Sequence, residues 1–211
     1  STPVEDIEKL RDADLFVAAD GVNSRTRELY ADKFRPSVTM GESRFMWLGT
    51  KQPHEAFTFI FRQNEHGTFQ VHAYQFDAST STFIVECDAA TFERSGFASD
   101  DEEGAIAYCE ELFAPELGGH KLMANRSRWI RFPEVVCERW THENMVLIGD
   151  AAHTAHFSVG SGTKLAMEDA IELAACIAES ADVSEGLARY DTERHDLVAR
   201  TQRAAQQSQR W

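Results

Sequence analysis

Asn144 to Glu179 reads NMVLIGDAAHTAHFSVGSGTKLAMEDAIELAACIAE, and its succession of strand, glycine-bearing loop and helix decides the fold class of the chain. Met145–Ile148 is a short unbroken apolar run of the kind that forms a strand buried on both faces, and Gly149 with Asp150 ends it in a tight turn. Beyond the loop, Ala166, Ala170, Leu173, Ala174 and Ile177 recur with helical spacing, which predicts a helix whose N-terminus points at the loop. A helix start offers unpaired N–H groups and the positive end of a dipole, so it suits an anionic or carbonyl-bearing ligand. Gly160 and Gly162 let backbone approach such a ligand closely. Without a ligand, the same residues read as an ordinary strand, loop and helix in which Asp150 only caps a turn.

The same logic recurs near the start of the chain. Leu15–Ala19 is an apolar strand that stops at Asp20 and Gly21, and Asn23 or Ser24 is placed to cap a helix beginning near Arg25. Together these words carry a resemblance. GDAAH at Gly149–His153, GSG at Gly160–Gly162 and EDA at Glu168–Ala170 resemble the second flavin motif of the FAD-dependent aromatic hydroxylases of the para-hydroxybenzoate hydroxylase type. Asp20-Gly21, with Arg25 following, is similar to the DG motif of that family. Both motifs stand in family order.

The resemblance implies an α/β (α+β) fold: part of a three-layer FAD-binding domain, and a mostly antiparallel β-sheet domain with flanking helices that holds the substrate. The implied division is 1–37 and 141–211 for the FAD-binding part and 38–140 for the substrate-binding part. It implies FAD contacts by Asp20, Gly21, Arg25, Gly149, Asp150, His153, Gly160, Ser161, Gly162 and Thr163, with Asp150 on the ribityl chain and the glycine loop at the pyrimidine edge of the flavin. It implies hydroxylation of an aromatic ring using NAD(P)H and O2, chemistry in which the cofactor carries the hard step. No catalytic side chain and no metal ligand is expected. Many family members have Pro-Pro before the glycine loop and Asn after it, whereas this chain has His156-Phe157 and Thr163-Lys164, so a different contact with the flavin edge is expected. HFSVGSGTKLAMEDAIELA, with FMWLGT, HAYQF and STFIVECD, most resembles the monooxygenases acting on salicylyl-CoA and anthraniloyl-CoA.

The family's first motif, a G-x-G-x-x-G loop that seats the FAD pyrophosphate, does not occur. The chain is therefore expected to be a fragment of a longer enzyme, inactive and free of FAD by itself, with an exposed strand edge open to pairing with another copy. Two other readings stay open: a flavin-dependent reductase or halogenase, although the halogenase string WxWxIP is absent, and a non-catalytic module that binds an aromatic ligand.

Composition narrows the rest. The 211 residues carry a net charge of −14, which argues against nucleic acid or an anionic membrane as partner. No apolar run approaches the roughly 18–20 residues of a membrane span, and STPVEDIEKL has no leader-like character, so a cytoplasmic location is expected. The four cysteines are scattered, which predicts reduced thiols rather than a zinc or C-x-x-C site. Between the motifs, RFMWLGTK, AFTFIFRQ, GTFQVHAYQF and TSTFIVECD predict four strands in meander order, with a hairpin at Glu65-His66-Gly67. The alternation of Phe57, Phe59 and Phe61 against Thr58, Ile60 and Arg62 predicts that one side of that strand meets a core. Helices are expected at Ala89–Arg94 and Glu102–Phe113, then strands at Arg126–Phe132 and Val135–Trp140 turning at Pro133. Trp47, His66, His72 and Tyr74 read as packing residues. From Ser184 onward a long helix is expected to pack through Leu187, Tyr190, Leu197, Val198, Ala204 and Ala205, with Arg189, Arg194, Arg200, Arg203 and Arg210 on a solvated face.

Overall fold

The computed structural model describes residues 6–97 and 101–208. In chain order its elements are β1 (Phe16–Ala18), α1 (Arg25–Leu29), α2 (Ala31–Phe34), β2 (Pro36–Met40), β3 (Arg44–Thr50), β4 (Thr58–Asn64), β5 (Gly67–Asp77), β6 (Thr80–Cys87), α3 (Ala89–Arg94), α4 (Glu102–Leu112), α5 (Ala114–Leu117), β7 (Leu122–Met123), β8 (Pro133–Cys137), β9 (Thr141–His142), β10 (Met145–Leu147), α6 (Gly162–Glu179) and α7 (Val183–Ser208). They form a mixed α/β chain of two units, one from residues 1–39 and 133–211, the other from residues 40–132. Residues 133–140 thus belong with the first unit.

In the first unit β1 and β10 pair in parallel, Phe16 opposite Met145 and Ala18 opposite Leu147, and β9 adds antiparallel to β10. All three residues of β10 are buried, as its continuous apolar run requires. The helix α6 buries Leu165, Asp169, Leu173 and Cys176, while Ala170 and Ala174, expected on the inner stripe, are exposed. Turning the helix this way removes the larger leucine surfaces from water, and apolar burial scales with area. The inner stripe of α7 is Leu187, Tyr190, Arg194, Val198, Gln202 and Ala205; Leu197 and Ala204 lie outside it. Arg194 therefore belongs to the core and not to the solvated face on which it was expected. Arg210 lies outside the described residues. Pro133 does not turn the chain between two strands: it opens β8, which pairs with β2, while residues 126–132 make only an isolated bridge through Ile130 to Phe45. Proline is tolerated as the first residue of a strand, where its missing N–H matters least.

The sheet of the second unit has the order β4-β5-β6-β3-β7, so the meander covers β4 to β6 and the first strand, β3, pairs with β6 instead of β4. Lys51–Phe57 carries the chain across the sheet end, held where His54 N–H donates to Ser81 Oγ (3.1 Å) and Gln75 N–H donates to His54 O (3.1 Å). One face of the sheet, with Met46, Leu48, Ile60, Phe69, Val71 and Phe83, packs on Ala105, Cys109, Phe113 and Leu117 of the helices. Asp88 and Asp101 cap α3 and α4 by accepting from Thr91 N–H (2.6 Å) and Gly104 N–H (2.8 Å). The strand alternation is as expected, but Ile60 takes the core side, and Phe57, Phe59 and Phe61 are 48%, 52% and 62% exposed. Register gives the opposite face its rows: Phe59, His72, Ile84 and Trp47 in one, Phe61, Gln70, Glu86 and Phe45 in the next.

All four cysteines are free and buried. Burial pushes the Cys109 thiol up to about 12 and the Cys137 thiol up to about 11, so neither is a thiolate nucleophile at neutral pH. Among the described residues no helix is long and apolar enough to cross a membrane.

Candidate flavin site

The site is built at the carboxyl ends of two adjacent parallel strands. Because Ala18 stands opposite Leu147 and Ile148 N–H donates to Ala18 O (3.1 Å), the turns Asp20-Gly21 and Gly149-Asp150 leave the sheet at one level. Ligands of open α/β sheets bind at such an edge.

The first turn is held from below. Asp20 Oδ2 accepts from Thr26 N–H and from Thr26 Oγ1 (3.1 Å each), and Ser24, as N-cap of α1, accepts from Arg27 N–H (2.9 Å). Burial pushes the Asp20 carboxyl up, but hydrogen bonds from Ser24 and Thr26 outweigh it and hold the group below its ordinary value. Asp20 is thus an anion spent largely on its own turn. Arg27, buried, ties the two turns together: it donates to Ala151 O (3.0 Å), Asp150 O (3.3 Å) and Val22 O (2.6 Å). Arg25 is exposed, and its side chain makes no hydrogen bond among the described residues. The arginine that organises the site is therefore Arg27.

The second turn is held from behind by a buried ionic cluster. Gly149 adopts φ +58°, and a Cβ on it would stand 3.0 Å from Ala166 Cβ, so the close approach of α6 requires glycine there. Gly149 N–H donates to Asp169 Oδ2 (2.9 Å), His153 Nε2 is 2.7 Å from the same oxygen, and Arg194 Nε donates to Asp169 Oδ1 (2.7 Å). Arg194 also donates to Leu165 O (3.1 Å) and pairs with Glu168 (2.9 Å). Burial raises the Asp169 carboxyl, but His153, Arg194 and the Gly149 N–H outweigh it and keep it below its ordinary value. The His153 ring, 4.8 Å from the Trp140 ring, faces inward, so it positions the turn from within the core.

The outward parts of the site are different in kind. Asp150 is exposed, and its carboxylate has no hydrogen-bond partner among the described residues. Gly160 and Gly162 lead into the 18-residue helix α6, whose first residues include Thr163, with Ser161 as N-cap. A Cβ on Gly21, Gly160 or Gly162 would meet nothing within 4 Å. Free carboxylate, open glycine loop and helix start together fit a ligand that offers hydroxyls to Asp150 and carbonyls or negative charge to α6, which is the donor and acceptor set of a flavin. The structure unites Asp20, Gly21, Gly149 and Asp150 through strand register. The sequence assigns Arg27 and Arg194 no part in the site and shows Asp169 only within the EDA string, without a role; the further local signal is Arg194 standing in the apolar stripe of α7.

The sequence pattern of an FAD-binding domain matches residues 5–205. The chain belongs to that family. It is 43% identical to a salicyloyl-CoA 5-hydroxylase of a Streptomyces species, over 99% of this chain and 42% of the relative. It is 39% identical to a 3-hydroxy-4-methyl-anthranilyl (aryl-carrier protein) 5-monooxygenase of Streptosporangium sibiricum, over 96% of this chain and 54% of the relative. The chain thus spans about half the length of these curated relatives. Its fold is that of 2-methyl-3-hydroxypyridine-5-carboxylic acid oxygenase, with a TM-score of 0.71 at 20% identity over 92% of this chain and 53% of the other.

Proposed function

We propose that the full-length protein is a cytoplasmic FAD-dependent monooxygenase that places one atom of O2 on an aromatic ring, with NAD(P)H as reductant and an aryl-CoA thioester as substrate. The observation that carries this reading is the common level of the Asp20-Gly21 and Gly149-Asp150 turns beside the open start of α6. Relatives whose names place an aryl group on CoA or on a carrier protein support the thioester. Bound FAD supplies the transfer of reducing equivalents and oxygen: ring C–H becomes C–O–H, the second oxygen atom leaves as water, and NAD(P)H is oxidised.

The chain's own residues bind and orient. Asp150 would accept hydrogen bonds from the ribityl hydroxyls, and Gly160, Ser161, Gly162 and Thr163 would present the N-terminus of α6 to the pyrimidine edge, where negative charge is stabilised by the helix dipole. Asp20 and Gly21 would line the cofactor on the neighbouring strand. Arg25, exposed on α1, is free to meet NAD(P)H or the cofactor diphosphate. The unit of residues 40–132 would hold the aromatic ring. Copies would associate through the free edge of β1, which pairs only with β10 among the described residues.

Oxidation of NAD(P)H by the full-length protein, measured with salicyloyl-CoA and with free salicylate under oxygen-18, tests the reading. The thioester is expected to react at least about tenfold faster in kcat/KM, equal to about 1.4 kcal/mol of binding, with one labelled oxygen in the product. Equal rates with the free acid would sink the thioester assignment, and oxidation with no label in the product would sink the monooxygenase.

A further inference from the structure

Charge is segregated within the second unit. From Leu117 to Pro133 the sequence LGGHKLMANRSRWIRFP contains Lys121, Arg126, Arg128 and Arg131 and no acid, in a chain that otherwise carries 35 acidic residues. Lys121 is paired with Glu110 (2.6 Å). Arg126, Arg128 and Arg131 are exposed, and none has a carboxylate partner among the described residues. Arg131 is held by neutral groups, donating to Gly41 O (2.7 Å) and Met40 O (2.8 Å), so its charge remains uncompensated. Arg126 has φ +55°, a left-handed conformation that costs a side-chain-bearing residue about 1–2 kcal/mol.

These arginines border the aromatic face of the sheet. Phe45 and Ile130 exchange both backbone hydrogen bonds (2.9 Å each), which sets residues 127–130 beside the edge of β3 that carries Phe45 and Trp47. Ser127, between the two arginines, fixes the register by donating from Oγ to Trp47 O (2.5 Å). The buried Ser127 and Trp129 alternate with exposed Arg126, Arg128 and Ile130, which places Arg128 and Ile130 on one side of the segment. The row Phe59, His72, Ile84, Trp47 therefore ends beside the arginine-bearing segment, with Trp47 48% exposed and His72 and Ile84 buried. The exposed Trp47 and Ile130, bordered by guanidinium groups without a carboxylate partner, are complementary to a ligand with an apolar arm and a phosphorylated end.

We propose that Arg126 and Arg128, with Arg131 adding to the local positive charge, seat the phosphate groups of the CoA carrier while the exposed Trp47 and Ile130 beside them meet its apolar arm. This assignment rests on the aryl-CoA reading and names the subsite that would confer it. Guanidinium binds phosphate oxygens through two parallel N–H donors, which a lysine cannot reproduce.

The test uses the full-length FAD-loaded protein, with salicyloyl-CoA compared with salicyloyl-pantetheine, which keeps the thioester and lacks every phosphate. In the double variant Arg126→Ala/Arg128→Ala the KM for salicyloyl-CoA is expected to rise about 10- to 150-fold, the loss of a charged hydrogen bond or two, with kcat within about twofold. Arg→Lys at both positions is expected to restore only part of the affinity. The KM for salicyloyl-pantetheine should already be high in the parent protein and should not move in the variant. An unchanged KM for salicyloyl-CoA overturns the proposal, as does an equal rise for both thioesters, which would mean a structural role. Turnover confined to a carrier-protein-bound thioester, lost in the variant, overturns it in favour of an acidic protein partner. If the parent protein reacts only with free salicylate, the substrate reading itself has failed, and the subsite falls with it.

Discussion

Replacing Asp169 by Ala is expected to destabilise the first unit by about 3–5 kcal/mol, because breaking one side of a buried ion pair leaves charge without compensation. Asp169 and Arg194 are 0% and 4% exposed at the side chain, His153 2%, and the lost carboxylate would also release Gly149 N–H. A domain is stable by only about 5–15 kcal/mol, so the variant should lie near the folding threshold at 25 °C. Asp169→Asn keeps the size and one acceptor, and should lose less. Urea denaturation followed through the tryptophans reads both variants; a loss under about 1 kcal/mol for the alanine would mean that the cluster contributes little. The pH dependence has a definite sign. The Asp169 carboxyl lies below its ordinary value of 3.8 when folded, so its contribution is complete above that value and is lost as pH falls through the lower, folded one. Asp169→Asn should remove that part of the acid sensitivity, flattening the stability curve below pH 3.8 and leaving its slope at neutral pH unchanged.

Asp150→Ala is expected to behave in the opposite way, leaving the fold intact and weakening FAD binding. Its side chain is exposed and bonded to nothing among the described residues, so no folded-state partner is lost. A charged hydrogen bond contributes about 1.5–3 kcal/mol, so the dissociation constant for FAD should rise about 10- to 150-fold. Quenching of flavin fluorescence on titration of the full-length apoprotein measures it. An unchanged constant in a variant that melts like the parent would remove Asp150 from the site.

These two carboxylates also mark where the sequence was legible and where it was not. Asp150 follows a continuous apolar run, and the local pattern alone announced a turn at the end of a buried strand. A helix cap at Asn23 or Ser24, which the structure places at Ser24, and the start of α6 at Gly162 are equally local and equally readable. Asp169 is visible only as part of the EDA string and its role is not, because its partners stand 20 residues back at Gly149 and 25 residues ahead at Arg194, distances at which no spacing rule operates. Arg27 reaches 124 residues to Ala151, and was passed over for the neighbouring Arg25 for the same reason. The sheet order failed similarly: each strand of the second unit was visible, but the pairing of β3 with β6 depends on Lys51–Phe57 crossing the sheet end. Phe57, Phe59 and Phe61 showed alternation without showing which side faced water, since period two is blind to direction.

The parallel pairing of β1 with β10 has a kinetic corollary. Phe16 and Met145 are neighbours across 145 − 16 = 129 positions, whereas Asn64 and Gly67 meet across a two-residue turn. Loop closure costs about 0.6 kcal/mol more for each doubling of length, so joining β1 to β10 in an unfolded chain costs about 3 kcal/mol more entropy than closing that hairpin. Prior folding of residues 40–132 shortens the loop, and zipping β2 against β8 shortens it again. The connectivity therefore predicts an order of events: the inserted unit is expected to gain protection from amide exchange early, and the edge proposed to receive the flavin, whose two aspartates come from opposite ends of the chain, to form last.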